Sequence, residues 1–161
     1  MSYFLEIQIK YLKSLIDCQV EFIVAGGYAV IYHGYVRTTG DMDIWLKPDN
    51  DNKKRFVEAL VREGLQNDSV EYVSNLDFTT SVAFHIGQIP EKIDFFTCVT
   101  GLDFETANQH ALKLSIDNLD VPFLSLSDLV TNKMITTRKR DQVDVEELQK
   151  IMKLKGRKPE K

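Results

Sequence analysis

A short β-branched run, Glu21 to Ala25, ends in Gly26-Gly27, and a little further on two aspartates alternate with apolar residues in Asp41-Met-Asp-Ile-Trp-Leu. This segment constrains the fold more than any other. The first run reads as a strand, the glycines as a turn, and Tyr-Ala-Val-Ile-Tyr-His before Gly34 as a short helix stopped by a C-terminal glycine. Asp41 to Leu46 reads as the next strand, broken by Pro48 and the Asp49-Asn50-Asp51 cluster. In a strand, residues two apart share a face. Asp41 and Asp43 therefore project side by side while Met42 and Ile44 enter the core.

Two adjacent carboxylates repel and need a cation, and an all-oxygen donor set suits a hard ion such as magnesium. A third acid, Asp94, interrupts the apolar run Ile93-Asp-Phe-Phe. Its charge is costly there unless the strand end opens onto the same site. Three converging carboxylates can hold two metals, the clamp used for in-line phosphoryl or nucleotidyl transfer. Gly26-Gly27 at a helix start lets backbone N–H groups approach phosphate oxygens, although a double glycine by itself is usually a turn.

The rest of the chain supplies a framework. Residues 3 to 17 have apolar positions at helical intervals, and Asn52 to Gly64 places Phe56, Val57, Leu60 and Val61 on one side. Val82, Phe84 and Ile86 alternate as in a strand, followed by a turn around Gly87 to Pro90. Asp103 caps a short helix to Ala111, and Leu112 to Ile116 with Val121 to Leu124 form a hairpin around Asp117-Asn118. Ser125 or Ser127 caps a helix to about Arg138, and a last helix covers about Asp141 to Leu154. The expectation is one α+β domain over residues 1 to 154, a mixed β-sheet flanked by helices, with a basic solvated tail at 155 to 161.

Composition excludes several classes. Acids outnumber Lys plus Arg by 24 to 20, a net charge of −4, which argues against a chain coated in nucleic acid. No apolar run approaches the roughly 20 residues that span a bilayer, and the N-terminus does not read as a secretory signal. Cys18 and Cys98 make no disulfide scaffold, so the cytoplasm is the expected compartment. His33, His85 and His110 lack the spacing of a zinc site, and His33 reads as a helix C-terminal residue. The basic runs at residues 53 to 55, 138 to 140 and 153 to 161 read first as surface charge, with an RNA or acidic partner as the rival reading.

Gly26-Gly27, thirteen residues, Asp41-x-Asp43 and the later Ile93-Asp94-Phe95 together resemble the signature of the nucleotidyltransferase superfamily related to DNA polymerase β. Leu124-Ser-Leu-Ser-Asp-Leu-Val-Thr-Asn-Lys-Met and Arg138-Lys-Arg-Asp-Gln-Val-Asp resemble the ending of small prokaryotic nucleotidyltransferases, including those of abortive-infection and toxin–antitoxin systems. Two departures are Gly27, where many members have Ser, and a length too short for the large accessory domain of several relatives.

The resemblance implies the polymerase β-like fold and magnesium-dependent transfer of a nucleoside monophosphate from a triphosphate such as ATP, with pyrophosphate released. Asp41, Asp43 and Asp94 would be the catalytic acids and would bind two magnesium ions, with manganese as the alternative. Asp94 would also accept the proton of the acceptor hydroxyl. Gly26, Gly27, Tyr28, Arg37, Lys133 and Arg138 would contact the nucleotide, Tyr28 either stacking on the base or packing the core. Asp141 and Asp144 would orient the cations or cap the last helix. The acceptor is a protein, a tRNA end or a small molecule. The rival implication is a catalytically silent nucleotide- or partner-binding module paired with an antitoxin-like protein.

Overall fold

The computed structural model describes residues 4–136 and 138–157, and within them helices and strands alternate along most of the chain. The order is α1 (Glu6–Asp17), β1 (Phe22–Ala25), α2 (Gly26–Tyr32), β2 (Met42–Leu46), α3 (Asn50–Arg62) and α4 (Asn67–Ser74). Then follow β3 (Ala83–Ile86), β4 (Ile93–Phe96), α5 (Phe104–His110), β5 (Leu112–Ile116), β6 (Leu119–Phe123), α6 (Leu126–Ile135) and α7 (Lys139–Arg157). The strands form one mixed sheet in the order β3-β4-β2-β1-β6-β5. This is the α+β architecture that the pattern of elements predicts.

Central and edge strands differ as their sequences require. β1, Phe-Ile-Val-Ala, is buried at every position because neighbouring strands and helices cover it on all sides. β3 and β5 form the two edges, and both expose alternate or successive residues. β1 runs antiparallel to β2, whereas β2 and β4 run parallel with Asp43 opposite Asp94. The parity read from the sequence holds, since Met42 and Ile44 are fully buried. On that core side Phe56 of α3 meets Phe78, Phe84 and Phe95 with ring centroids 4.9 to 6.2 Å apart.

Local signals set most boundaries. Asp49, Asp103 and Ser125 each accept a hydrogen bond from the backbone N–H three residues on, capping α3, α5 and α6. Asp117 and Asn118 both have positive φ, the geometry of a tight hairpin turn, which fixes Ile116 opposite Leu119. One element falls where the sequence carries no expectation, and one expectation is corrected. α4 occupies a stretch that carries little periodicity, with Val73 its one buried residue. α7 runs through Arg157, so the basic tail starts inside the helix, and residues 158–161 lie outside the described residues. No described helix is long and apolar enough to cross a membrane.

Candidate active site

Parallel pairing of β2 with β4 brings Asp43 and Asp94 side by side, and Asp41, one residue before β2, falls on the same face. One carboxylate oxygen from each lies within 4.8 Å of the others. Among the described residues this is the cluster with metal-ligand character. Burial, then the charges of Asp94 and Asp41, push the Asp43 carboxyl up to about 7 against the opposing pull of Lys133 and Arg138. Burial and Asp41 likewise raise Asp94. Such a trio is incompletely compensated, and its oxygen donors fit a hard divalent cation.

Lys92 makes a partial compensation, its Nζ lying 3.6 Å from Asp41 and 3.4 Å from Asp94. Sequence reasoning passed over it. Its place two residues before Asp94, on the same face by strand parity, was the available signal.

The glycines lie against the acids. Gly26 has φ +61°, and a Cβ there would run into the Asp43 carboxylate. A Cβ at Gly27 would meet the Thr39 side chain and lie 3.3 Å from an Arg37 guanidinium nitrogen. Close packing under the acids thus adds to the phosphate-approach reason for the pair. Tyr28 departs from expectation. Its ring stacks on Phe4 at 4.8 Å, its hydroxyl donates to Gln8 Oε1 at 3.1 Å, and it is buried away from the cleft. The core-packing alternative describes it.

Arg37, Lys133 and Arg138 all line a cleft of about 410 Å³ together with the glycines and the three acids. That volume lies within the range of small-molecule sites. Lys133 is no ordinary exposed helix lysine. Only 5% exposed, it is held by Asp141 at 2.8 Å and Asp144 at 2.9 Å. Arg37 reaches the same Asp144 carboxylate through two bonds of 2.8 and 3.0 Å, the planar fork geometry that arginine favours. Arg138 Nε donates to Asp141 at 3.0 Å while most of its side chain stays exposed. Thr136 Oγ1 also donates to Asp141, at 2.7 Å, and these bonds with Lys133 and Arg138 hold that carboxyl below its ordinary range despite burial. Asp141 and Asp144 therefore orient the cations, one of the two roles expected for them. Arg140, which donates to the Thr38 carbonyl, also lines the cleft and was not anticipated.

His33 is buried behind the site, where Nε2 donates to the Leu124 carbonyl at 2.7 Å, and burial lowers its pKa. This bond ties the end of α2 to the residue after β6. Trp45, fully buried, donates through Nε1 to the Thr97 carbonyl at 3.1 Å and packs edge-on against Phe104.

The mixed sheet flanked by helices is the nucleotidyltransferase fold. Solved structures of that fold superpose on the chain. Lincosamide antibiotic adenylyltransferase LnuA, with lincomycin bound, matches with a TM-score of 0.52 and 12% identity over 92% of this chain and 98% of its own. ANT(2″)-Ia in complex with adenylyl-2″-tobramycin matches with a TM-score of 0.52 and 10% identity over 92% of each chain. No model of a known protein family and no curated protein sequence matches the chain.

Proposed function

We propose that the protein is a metal-dependent nucleotidyltransferase, moving a nucleoside monophosphate from a nucleoside triphosphate to a hydroxyl of an acceptor. The observation that carries this reading is the triad itself: three aspartate oxygens within 4.8 Å, facing a cleft whose other wall is cationic. Asp41, Asp43 and Asp94 would hold the cation, best two magnesium ions, which supplies charge neutralisation at the phosphoryl oxygens. The match to two adenylyl-transfer proteins supports the same class of reaction and makes a small-molecule acceptor the natural first choice.

The chain's own residues divide the work. Arg138 and Arg140, exposed at the cleft, attract the triphosphate, while Arg37 and Lys133 are fixed in place by Asp144 and Asp141. Backbone at Gly26 and Gly27 lets the phosphates come close, because neither residue places a Cβ between them and Asp43 or Thr39. Asp94 accepts the proton of the acceptor hydroxyl as its oxygen bonds the α-phosphorus. The bond from that phosphorus to the bridging oxygen breaks, and pyrophosphate leaves with the electron pair. Fixed charges and fixed orientation carry most of the rate, since they need no rearrangement during the step.

The test is incubation with each α-labelled nucleoside triphosphate and magnesium, with and without cell extract, following label into protein, RNA and small-molecule fractions. Label entering one fraction, and lost in Asp43→Asn, is the expected result. Tight magnesium-dependent nucleotide binding with no label transferred from any triphosphate would instead make the protein a silent binding module.

A further inference from the structure

Strand register gathers four charged side chains into one patch. β2 and β4 run parallel with Met42 opposite Ile93, and the Met42 N–H donates to the Lys92 carbonyl at 3.2 Å, so one residue back Asp41 faces Lys92. Two residues further on, Asp43 faces Asp94. Period-two alternation puts all four on the same face of the sheet. Three corners of the patch are carboxylates, and the fourth is an ammonium.

The ammonium is placed to hold two of the three acids. Lys92 Nζ lies 3.6 Å from Asp41 and 3.4 Å from Asp94, and among the described residues it is the cation within ion-pair reach of the triad. Lys133 and Arg138 give their ion pairs to Asp141, and Lys133 also to Asp144. Lys92 therefore keeps the triad assembled against its own repulsion.

A divalent ion competes for the same oxygens. An ion of magnesium size takes carboxylate oxygens at about 2.0–2.1 Å. Bound to Asp41 or Asp94 it would stand within a few ångströms of Nζ, where like charges repel strongly in a site partly withdrawn from water. The ammonium has to leave as the ion arrives. Its side chain is 27% exposed on a flexible four-carbon stem, and water is there to receive it.

We propose that Lys92 is a tethered counter-ion that stands in for the divalent cation on Asp41 and Asp94, so that the free ion binds weakly and loads together with the triphosphate, whose oxygens supply further ligands. Lys92 is a positioning residue on this account. The arrival with triphosphate rests on the nucleotidyl-transfer reading; the competition with the ion rests on the geometry of the patch alone.

The test is manganese binding to the metal-free full chain, by calorimetry and electron paramagnetic resonance, without nucleotide. Lys92→Met removes the charge and keeps much of the stem, and should bind manganese at least about fivefold tighter than the parent. Lys92→Gln repeats the test with a polar neutral side chain in case methionine fails to fold. Lys92→Arg keeps the charge and should stay closer to the parent than to the neutral variants. In thermal unfolding, the rise in midpoint between chelator and manganese should be larger for the neutral variants than for the parent. A smaller gain in affinity, no change, or weaker binding in the folded neutral variants overturns the proposal, because a lysine that only braced the fold would leave manganese affinity unchanged or lower. Arginine binding manganese as tightly as methionine would overturn it too. Magnesium ATP is titrated separately into the parent: no binding there would overturn the nucleotide reading instead, leaving the manganese series to judge Lys92 on its own.

Discussion

Asp43 is the residue on which stability and chemistry pull in opposite directions. Its carboxyl is held near 7 in the folded chain, against an ordinary value of 3.8. Between those values the folded state binds more protons than the unfolded one, so stability falls as pH rises through that window and the penalty persists above it. The penalty is on the order of a few kcal/mol. Thermal unfolding with a chelator present should find Asp43→Asn more stable than the parent at about pH 8, with the difference shrinking toward about pH 4. On the proposed function the same substitution should abolish transfer. An Asn variant less stable at the higher pH would show that the carboxylate is well compensated without metal.

Gly26 gives a second prediction at this scale. With φ +61° and the Asp43 carboxylate where a Cβ would go, Gly26→Ala should cost about 2 kcal/mol or more in urea unfolding. Gly40→Ala, which meets nothing within 4 Å, should stay within about 0.5 kcal/mol. Asp41 and Asp43 were readable from period-two alternation, since parity alone puts them on one face, and Asp94 stood out as a charge inside an apolar run. Their contact with Asp94 was not, because strand pairing between distant segments leaves no local trace. Tyr28 was misplaced for a related reason: an aromatic residue after a glycine turn reads the same whether it faces a base or, as here, Phe4 and Gln8 from α1.

At the scale of elements, α7 is the least obvious part of the site. It lends no side chain to the carboxylate triad, yet Asp144 fixes Arg37 in the α2–β2 loop and Lys133 on α6 with one fully buried carboxylate. Removing it strands two cations. Asp144→Ala should lower unfolding free energy by about 3–5 kcal/mol and weaken nucleotide binding, both measurable by denaturant titration and calorimetry. An effect confined to stability would mean that Arg37 and Lys133 do not serve the nucleotide. Elements with a chemical punctuation mark were legible: the caps at Asp103 and Ser125 and the Asp117-Asn118 turn stand where residue type places them. α4 was not, because one buried valine gives no periodicity to read.

For the molecule as a whole, the sheet order β3-β4-β2-β1-β6-β5 draws the site from segments far apart in the chain. Cations come from one side and acids from the middle of the sheet, so ligand should tighten the whole assembly. Magnesium with a nucleoside triphosphate at about 100 times its dissociation constant should raise unfolding free energy by about 2.7 kcal/mol, read as a higher thermal midpoint. Neither ligand alone should match this. Replacement of Asp41 and Asp94 together by Asn should remove the magnesium-dependent part.

The tie between Asp144 and Arg37 also sets an order of events during synthesis, because chains emerge from the ribosome N-terminus first. When Asp94 is exposed and β2 can already pair with β4, Lys133, Asp141 and Asp144 have yet to emerge. The nascent chain could thus gather its carboxylates while Arg37 is the one member of the cationic wall already exposed. On the proposed reading competence would arrive only with the last helix, so a chain cut short by a stalled ribosome would keep the acids, the glycine pair and an unanchored Arg37 but lack the rest of the cationic wall.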